Sequence, residues 1–514
     1  MKFPKLHREF WVMKDKVKTI DELADIIANL KKSGKKIVLC HGTFDLLHPG
    51  HIKHLKAAKN EGDVLIVSIT ADTFIRKGPG RPIFNQDLRA ETVASLESVD
   101  YVTISNEPSS VETITKIKPD VYATGSEYRD RKPEPWHKFP KEKEAVKSVG
   151  GRIHFTDEVI FSSTNLINQF LNPYPEEAQE FLTRFREKYK SSDIIKRLEA
   201  LKKLKVLVFG ETIIDEYCYC QGLGKTPKDN IIATKYLWQE VSAGGVLAAA
   251  NHIAGFCDDV HLVTCLGMQN DYEDFIIHHL KSNIRTRFFH HNKAPTIVKR
   301  RFVDPNFLTK MFEIAYLNDS LPMSLEQVIF RYLEQNILNY DLVLVPDFGH
   351  GLINIDMANL LAEAKFLAVN TQTNSANTGF NLITKYPKAD YICLDEPEIR
   401  LACHNKYSNL ENLTKRIAQR LKCPKIAITR GHLGSLTYSQ EFYHIPAFAT
   451  KVVDRVGAGD AYLSITAPCV AMNYPMDMVG FIGNAVGALK VQIVANKESV
   501  EPIPLFKFIT TLLK

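Results

Sequence analysis

Twice along this chain a short, continuous apolar run opens a series in which further apolar runs alternate with helix-like stretches. The first is KKIVLC (35–40), leading into Gly42; the second is KVLVFG (205–210). Runs of this length read as strands buried on both faces. In the first series DVLIVSIT (63–70), YVTIS (101–105) and DVYATG (120–125) follow, separated by HIKHLKAAKNEG (51–62) and NQDLRAETVASLES (85–98). Ahead of them, IDELADIIANLKKS (20–33) places Ile20, Leu23, Ile26, Ile27 and Leu30 at helical spacing, and Gly34 can stop that helix. In the second series the strands expected are 341–347, 366–370, 391–395 and 425–430. Strands alternating with helices form parallel sheets with right-handed crossovers, so the fold class is α/β. The expected boundaries are 1–171 for the first domain, 172–204 for a charged helical connector and 205–514 for the second domain.

Composition narrows the function classes. The chain has 514 residues, 45% hydrophobic and 24% charged, which excludes disordered and collagen-like chains. Its net charge of +6 is spread thinly, which suits phosphate-rich ligands better than nucleic acid. The one biased segment, RDRKPEPWHKFPKEKEAVK (129–147), reads either as a lid over a site or as a solvated loop. Nine cysteines show no CxxC pair and no zinc-type spacing, as expected of free thiols in a reducing, cytoplasmic compartment. Neither a signal-peptide core nor an apolar run of membrane-spanning length is present, so no membrane partner is expected.

The segment HGTFDLLHPGHIKHL (41–55) sits where the first strand meets a helix. That carboxyl edge of a parallel sheet is where ligands bind. Gly42 permits close approach of a phosphate, and the helix start offers free N–H groups. His48 and His51 are three apart, with Pro49 suited to the first helical position, so both imidazoles can face one side. Two imidazoles there can donate to oxygens that gain charge as a bond to an α-phosphorus breaks. Downstream, Ser162, Ser163 and Thr164 precede an apolar stretch and would offer hydroxyls and amides to phosphate.

Residues 35–170 resemble the HxGH nucleotidylyltransferase superfamily, with its SST-type second signature. The resemblance implies a Rossmann-like domain that joins a sugar phosphate to the α-phosphorus of a nucleoside triphosphate, releasing pyrophosphate. It implies nucleotide contacts from Gly42, Thr43, Phe44, His48, His51, Gly125, Ser162, Ser163 and Thr164. It implies sugar-phosphate contacts from Asp45, Lys77, Arg81 and Arg89. His48 and His51 would be catalytic, Mg2+ the cofactor, and ATP the triphosphate, with CTP left open.

The second series carries RVGAGDAYLS (455–464), a glycine-rich turn entering a helix with Asp460 near its start. Amides there form an anion hole, and Asp460 can accept a hydroxyl proton. VFGETIIDEY (208–217), SAGGVLAAANHIAG (242–255), DEPE (395–398) and ITRGHLGS (428–435) accompany it. Together they resemble the ribokinase-like carbohydrate kinases of the PfkB family over 205–514. The resemblance implies Asp460 as catalytic base and Gly457, Ala458 and Gly459 as the anion hole. It implies Asp215, Gly244, Gly245 and Lys299 on the sugar phosphate, and Thr429, Gly431 and Gly434 on the nucleotide. Glu398 would be linked to magnesium, and Asp454 with the Val456 backbone would hold a monovalent cation, K+. Four positions depart from the pattern: Glu211, Ala248, Asp395 and Arg455.

The pair resembles the bifunctional heptose-phosphate kinase and heptose-1-phosphate adenylyltransferases, in reversed domain order. That implies phosphorylation of heptose 7-phosphate at its anomeric hydroxyl, then adenylyl transfer, with a homodimer as one assembly. Two other readings stay open: a cytidylyltransferase for another sugar or alditol phosphate, and an active transferase with a kinase-fold sensor.

Overall fold

The computed structural model describes residues 16–75, 81–126, 139–156, 174–270, 272–317 and 320–514. The chain divides into two compact units between Pro173 and Tyr174.

Among the described residues the first unit holds five strands: β1 (Ile37–Gly42), β2 (Val64–Thr70), β3 (Tyr101–Ser105), β4 (Val121–Gly125) and β5 (Arg152–Thr156). Their order is β3-β2-β1-β4-β5, with every neighbouring pair parallel. Side-chain alternation along the strands divides the core. Val38, Cys40, Leu65 and Val67 join the cluster on one face, while Ile37, Leu39, Val64 and Ile66 join that on the other. The helix over Ile20–Lys32 begins at Thr19, whose hydroxyl and backbone N–H exchange hydrogen bonds with Glu22. Strand order reverses between β1 and β4, which opens a crevice at their carboxyl ends. Strand β5 escaped the sequence reading because RIHFT is charged at its exposed start and only partly buried thereafter.

The second unit holds a nine-stranded and a four-stranded sheet. The larger contains β6 (Lys205–Phe209), β9 (Asp259–Gly267), β10 (Ile284–His291), β13 (Leu342–Asp347), β14 (Leu367–Thr371), β15 (Tyr391–Asp395), β16 (Lys425–Thr429), β17 (Ser435–Tyr438) and β18 (Phe442–Ile445). Its order is β10-β9-β6-β13-β14-β15-β16-β17-β18, parallel as far as β16 and antiparallel beyond. The smaller is β12-β11-β7-β8, made of β7 (Thr212–Lys225), β8 (Ile232–Gly245), β11 (Ile297–Asp304) and β12 (Thr309–Tyr316). These four strands were not apparent as strands in the sequence. All eight residues of β12 are exposed, and β8 becomes buried only at its end, so neither reads as an apolar run.

Helices Glu176–Lys188 and Ser191–Ala200 pack on the second unit. Phe185 stacks on Phe481 with ring centroids 4.4 Å apart, and Lys188 pairs with Asp477 at 2.6 Å. Arg186 donates to the Leu512 carbonyl. Each of the nine cysteines is a free thiol, and Cys265 alone is more than marginally exposed. No helix among the described residues is long and apolar enough to cross a membrane.

Phe185→Ala should lower the urea stability of the second unit by about 3 kcal/mol, the usual loss for a buried ring. A loss under about 1 kcal/mol, as for a surface change, would show that this helix does not carry core packing.

Candidate active sites

The first site is built at the carboxyl end of β1. Residues 43–48 leave the strand and the helix Pro49–Lys59 begins. His48 caps that helix: its Nδ1 accepts the Gly50 N–H at 3.1 Å. The neutral ring therefore carries its proton on Nε2. Burial pushes the His48 pKa down, which keeps the ring neutral near pH 7. His51 lies against it, ring centroids 4.0 Å apart and 25° from parallel, and Phe44 backs His51 at 5.3 Å. The two imidazoles thus share one side of the first helical turn, as the spacing predicted.

Two ion pairs hold the loop that carries them. Asp45 is 3% exposed and accepts from the Ile83 and Phe84 amides at 2.6 and 3.3 Å and from Arg81 Nη1 at 3.3 Å. Arg81 Nη2 is buried with no hydrogen-bond partner among the described residues, so this guanidinium retains a donor for an anion. Arg89, expected on a phosphate, is placed differently. It is 1% exposed, and its guanidinium donates to the Phe84, Thr43 and Thr70 carbonyls and to Asp72. Four of its five N–H donors are thereby engaged, so Arg89 fixes the Thr43 backbone from beneath. Gly125 closes β4 beside this crevice, paired in register with Thr156. Lys77, Ser162, Ser163 and Thr164 lie outside the described residues, as does 129–138 of the basic segment; its remainder forms the helix Phe139–Ser148.

The second site gathers at the start of the helix Ala458–Ala471. Gly457 caps it with φ +75°, a left-handed conformation that favours glycine, and a Cβ there would lie 2.4 Å from Asn496 Oδ1. Asp460 stands in the first turn, 6% exposed. Burial raises its carboxyl to about 6, with Asp215 adding to the rise and the Lys490 and Lys299 cations opposing it. At pH 7 roughly nine in ten such carboxyls are ionised and close to their pKa, as a proton acceptor needs.

Asp215 faces this turn from β7, directly opposite Lys299 in the β7–β11 register. Its Oδ2 accepts Asn496 Nδ2 at 2.9 Å and its Oδ1 pairs with Arg301. Gly244 makes room for that carboxylate, since a Cβ there would sit 2.1 Å from Asp215 Oδ2. Gly245 follows at φ +56° and begins the next helix. Ala248 lines a cleft of about 550 Å³ together with Ser242, His252 and Asn496. Glu211 is buried, and its two carboxylate oxygens accept the Phe348 and His350 amides, each at 3.0 Å.

Glu398 and Asp395 form a reciprocal cap, each carboxylate accepting the other's backbone N–H at 2.7 Å. Burial and then Asp395, with Asp460 contributing, push the Glu398 carboxyl up to about 8. Asp395 and Asp460 thus both raise Glu398, but no group of three or more potential metal ligands stands together among the described residues. Thr429 ends β16; Gly431 and Gly434 follow at φ +57° and +82° in a turn closed by Arg430 N–H donating to the Gly434 carbonyl. Arg301, Asn496 and Lys490 were missed in the sequence because no local motif marks them. Their one signal is polarity inside apolar stretches, as with Lys490 at the end of MDMVGFIGNAVGALK.

Both units are α/β, and each constellation stands at the start of a helix. Residues 203–501 match the pfkB family carbohydrate kinases, and the chain belongs to that family. Residues 39–197 match the cytidylyltransferase-like family. Curated relatives include the bifunctional protein HldE of Geobacter metallireducens, 41% identical over 165 residues, which are 32% of this chain and 32% of that one. The protein of the same name from Aliarcobacter butzleri is 48% identical over 117 residues, 22% of this chain and 25% of that one. The chain thus aligns with a third or less of these relatives' length. Among solved structures, a ribokinase of Thermotoga maritima is similar with TM-score 0.48 and 18% identity, covering 59% of this chain and 99% of that one.

Two outcomes follow from this geometry. Gly244→Ala should cut kinase turnover by about 100-fold by displacing Asp215, since misplaced groups cost about that much, while the melting temperature holds. Full activity would mean that Asp215 is not needed where it stands. The kinase kcat/KM should fall about tenfold per pH unit below about pH 6, where Asp460 takes up its proton. A flat profile down to pH 5 would exclude it as the base.

Proposed function

We propose that the chain is a bifunctional sugar-activating enzyme. The kinase site phosphorylates a sugar phosphate, heptose 7-phosphate, at its anomeric hydroxyl. The transferase site then joins the new phosphate to the adenylyl group of ATP. The observation that carries this reading is the buried carboxyl of Asp460, held near neutral pH at a glycine-capped helix start and facing Asp215 and Lys299.

In the first step the sugar hydroxyl oxygen bonds to the γ-phosphorus of ATP, the bond to the β-bridging oxygen breaks, and ADP leaves. Asp460 takes the hydroxyl proton. Asp215 orients the sugar hydroxyls, fixed by Arg301 and Asn496. Lys299, 8% exposed, meets the phosphate the sugar already carries. Amides of Gly457, Ala458 and Gly459 receive the charge on the transferring group. Thr429, Gly431 and Gly434 form the nucleotide edge.

In the second step an oxygen of the sugar 1-phosphate bonds to the α-phosphorus of a second ATP and pyrophosphate leaves. The attacking phosphate is already ionised, so no general base is needed and the task is positioning. His48 Nε2–H and the His51 ring face the oxygens that gain charge, and Arg81 meets the sugar phosphate. Ser162, Ser163, Thr164 and Lys77 are assigned to this pocket by family resemblance. Mg2+ supplies bridging and charge neutralisation on the phosphate oxygens when bound. In the kinase site Glu398, whose carboxyl Asp395 and Asp460 push up, is the residue that would help hold the ion.

The sensor reading has one observation in its favour: Ala248 puts a methyl group where this family places a sugar-contacting amide. Incubation with ATP and heptose 7-phosphate separates the two, with ADP expected. No ADP from heptose 7-phosphate, with pyrophosphate still released from supplied sugar 1-phosphate, would favour the sensor, and CTP outperforming ATP in that second assay would favour the cytidylyltransferase reading. Asp460→Asn should abolish ADP formation from heptose 7-phosphate yet spare pyrophosphate release from supplied heptose 1-phosphate, and His51→Ala should do the reverse, each activity being assayed with its own sugar phosphate. Equal loss of both activities in either variant would contradict two separate sites.

A further inference from the structure

The monovalent cation implied at Asp454 and the Val456 backbone does not fit the residues found there. Lys490 ends the helix Met476–Lys490 and is wholly buried. Its Nζ donates to the Val456 carbonyl at 2.9 Å and to the Ala495 carbonyl at 2.5 Å. The Asp454 carboxylate is fully engaged as well. Its Oδ1 accepts the Val456 N–H at 3.1 Å and Lys310 Nζ at 2.7 Å. Its Oδ2 accepts the Tyr217 hydroxyl at 2.8 Å and the Ala495 N–H at 2.9 Å. A potassium ion would need the Val456 oxygen and the Asp454 carboxylate, and an ammonium already holds each.

We propose that Lys490 is a built-in replacement for the monovalent cation, so that the phosphate-gripping turn of the kinase site is assembled without K+. An alkylammonium carries the same charge as K+ and, like it, is held by carbonyl oxygens. A tethered ammonium differs in that its occupancy does not depend on salt. The coupling to the turn is direct. The Lys490 stem runs beneath Gly457, where a Cβ would lie 3.2 Å from Lys490 Cε. The Val456 carbonyl it holds belongs to the residue just before that glycine. Lys490 acts through the two backbone carbonyls its Nζ holds and is therefore a positioning residue. Its charge stands close enough to Asp460 to favour that residue's ionised form. The catalytic part of this inference rests on the kinase reading above, but the occupancy of the carbonyl site does not.

The test uses the full chain with potassium chloride or tetramethylammonium chloride at equal ionic strength. The melting temperature should agree in the two salts within about 1 °C, because an ion that does not bind the folded state cannot stabilise it. Crystals soaked in thallium(I) should show no anomalous peak on the Val456 carbonyl. ADP formation should change by less than about twofold between the salts, as expected where no ion binds. Lys490→Met keeps the stem and removes the charge. It should lose kinase turnover in tetramethylammonium and regain part of it in K+, together with a K+-dependent rise in melting temperature, which a purely packing role would not produce. A thallium peak on Val456 in the unmutated chain, or a melting temperature that rises with K+ there, would overturn the proposal. If Lys490→Met does not fold, the unmutated chain decides. An absence of ADP under all conditions would contradict the kinase reading, while the melting and thallium results would still decide who holds the carbonyls.

Discussion

Both sites depend on one constraint: each is built where a helix begins. Helix starts expose N–H groups with no intrahelical partner, and those groups favour negative charge. At the first site the helix Pro49–Lys59 carries His48 as its cap, so the group that closes the helix also faces the crevice. At the second, the helix Ala458–Ala471 has a glycine cap whose side-chain hydrogen cedes space to Asn496 and the Lys490 stem. In the proposed function neither site needs a nucleophile from the protein: phosphate oxygens and a sugar hydroxyl would supply it, and the protein would contribute position, charge and one proton acceptor.

The two sites solve the burial of charge differently. In the first, Arg89 is enclosed and neutralised locally by Asp72 and three carbonyls, which stiffens the loop bearing Thr43. In the second, Asp215, Asp454 and Asp460 are shared among Lys299, Arg301, Lys310 and Lys490, so the field at Asp460 is set by a network. Desolvation outweighs those cations at Asp460 and holds it near 6, whereas at Asp454 the Lys310 pair and the backbone donors outweigh desolvation and bring it down to about 2. Two aspartates six residues apart are thus shifted in opposite directions, Asp460 up and Asp454 down.

Much of this was legible in the sequence. The local signatures were readable because strand, turn and helix start lie within about a dozen residues: HxGH after KKIVLC, and GAGD before an apolar helix. Strands β1–β4, β6 and β13–β16 followed from the same apolar runs, whereas β9, β10, β17 and β18 of the larger sheet did not. The hidden parts are those the chain assembles over distance. Arg301 meets Asp215 across 86 positions and Asn496 meets it across 281. Arg89 sits on an exposed-looking helix, and only the fold shows that it points inward. The four-stranded sheet escaped because its strands are half exposed and do not form apolar runs.

The central claim is that the chain grips polyphosphate at two separate helix starts. A crystal soaked with a non-hydrolysable ATP analogue and magnesium tests it most directly. The account predicts phosphate density at the amides of Gly457 to Gly459 and beside the His48 and His51 rings. Density at neither helix start, or at a single place remote from both, would contradict it.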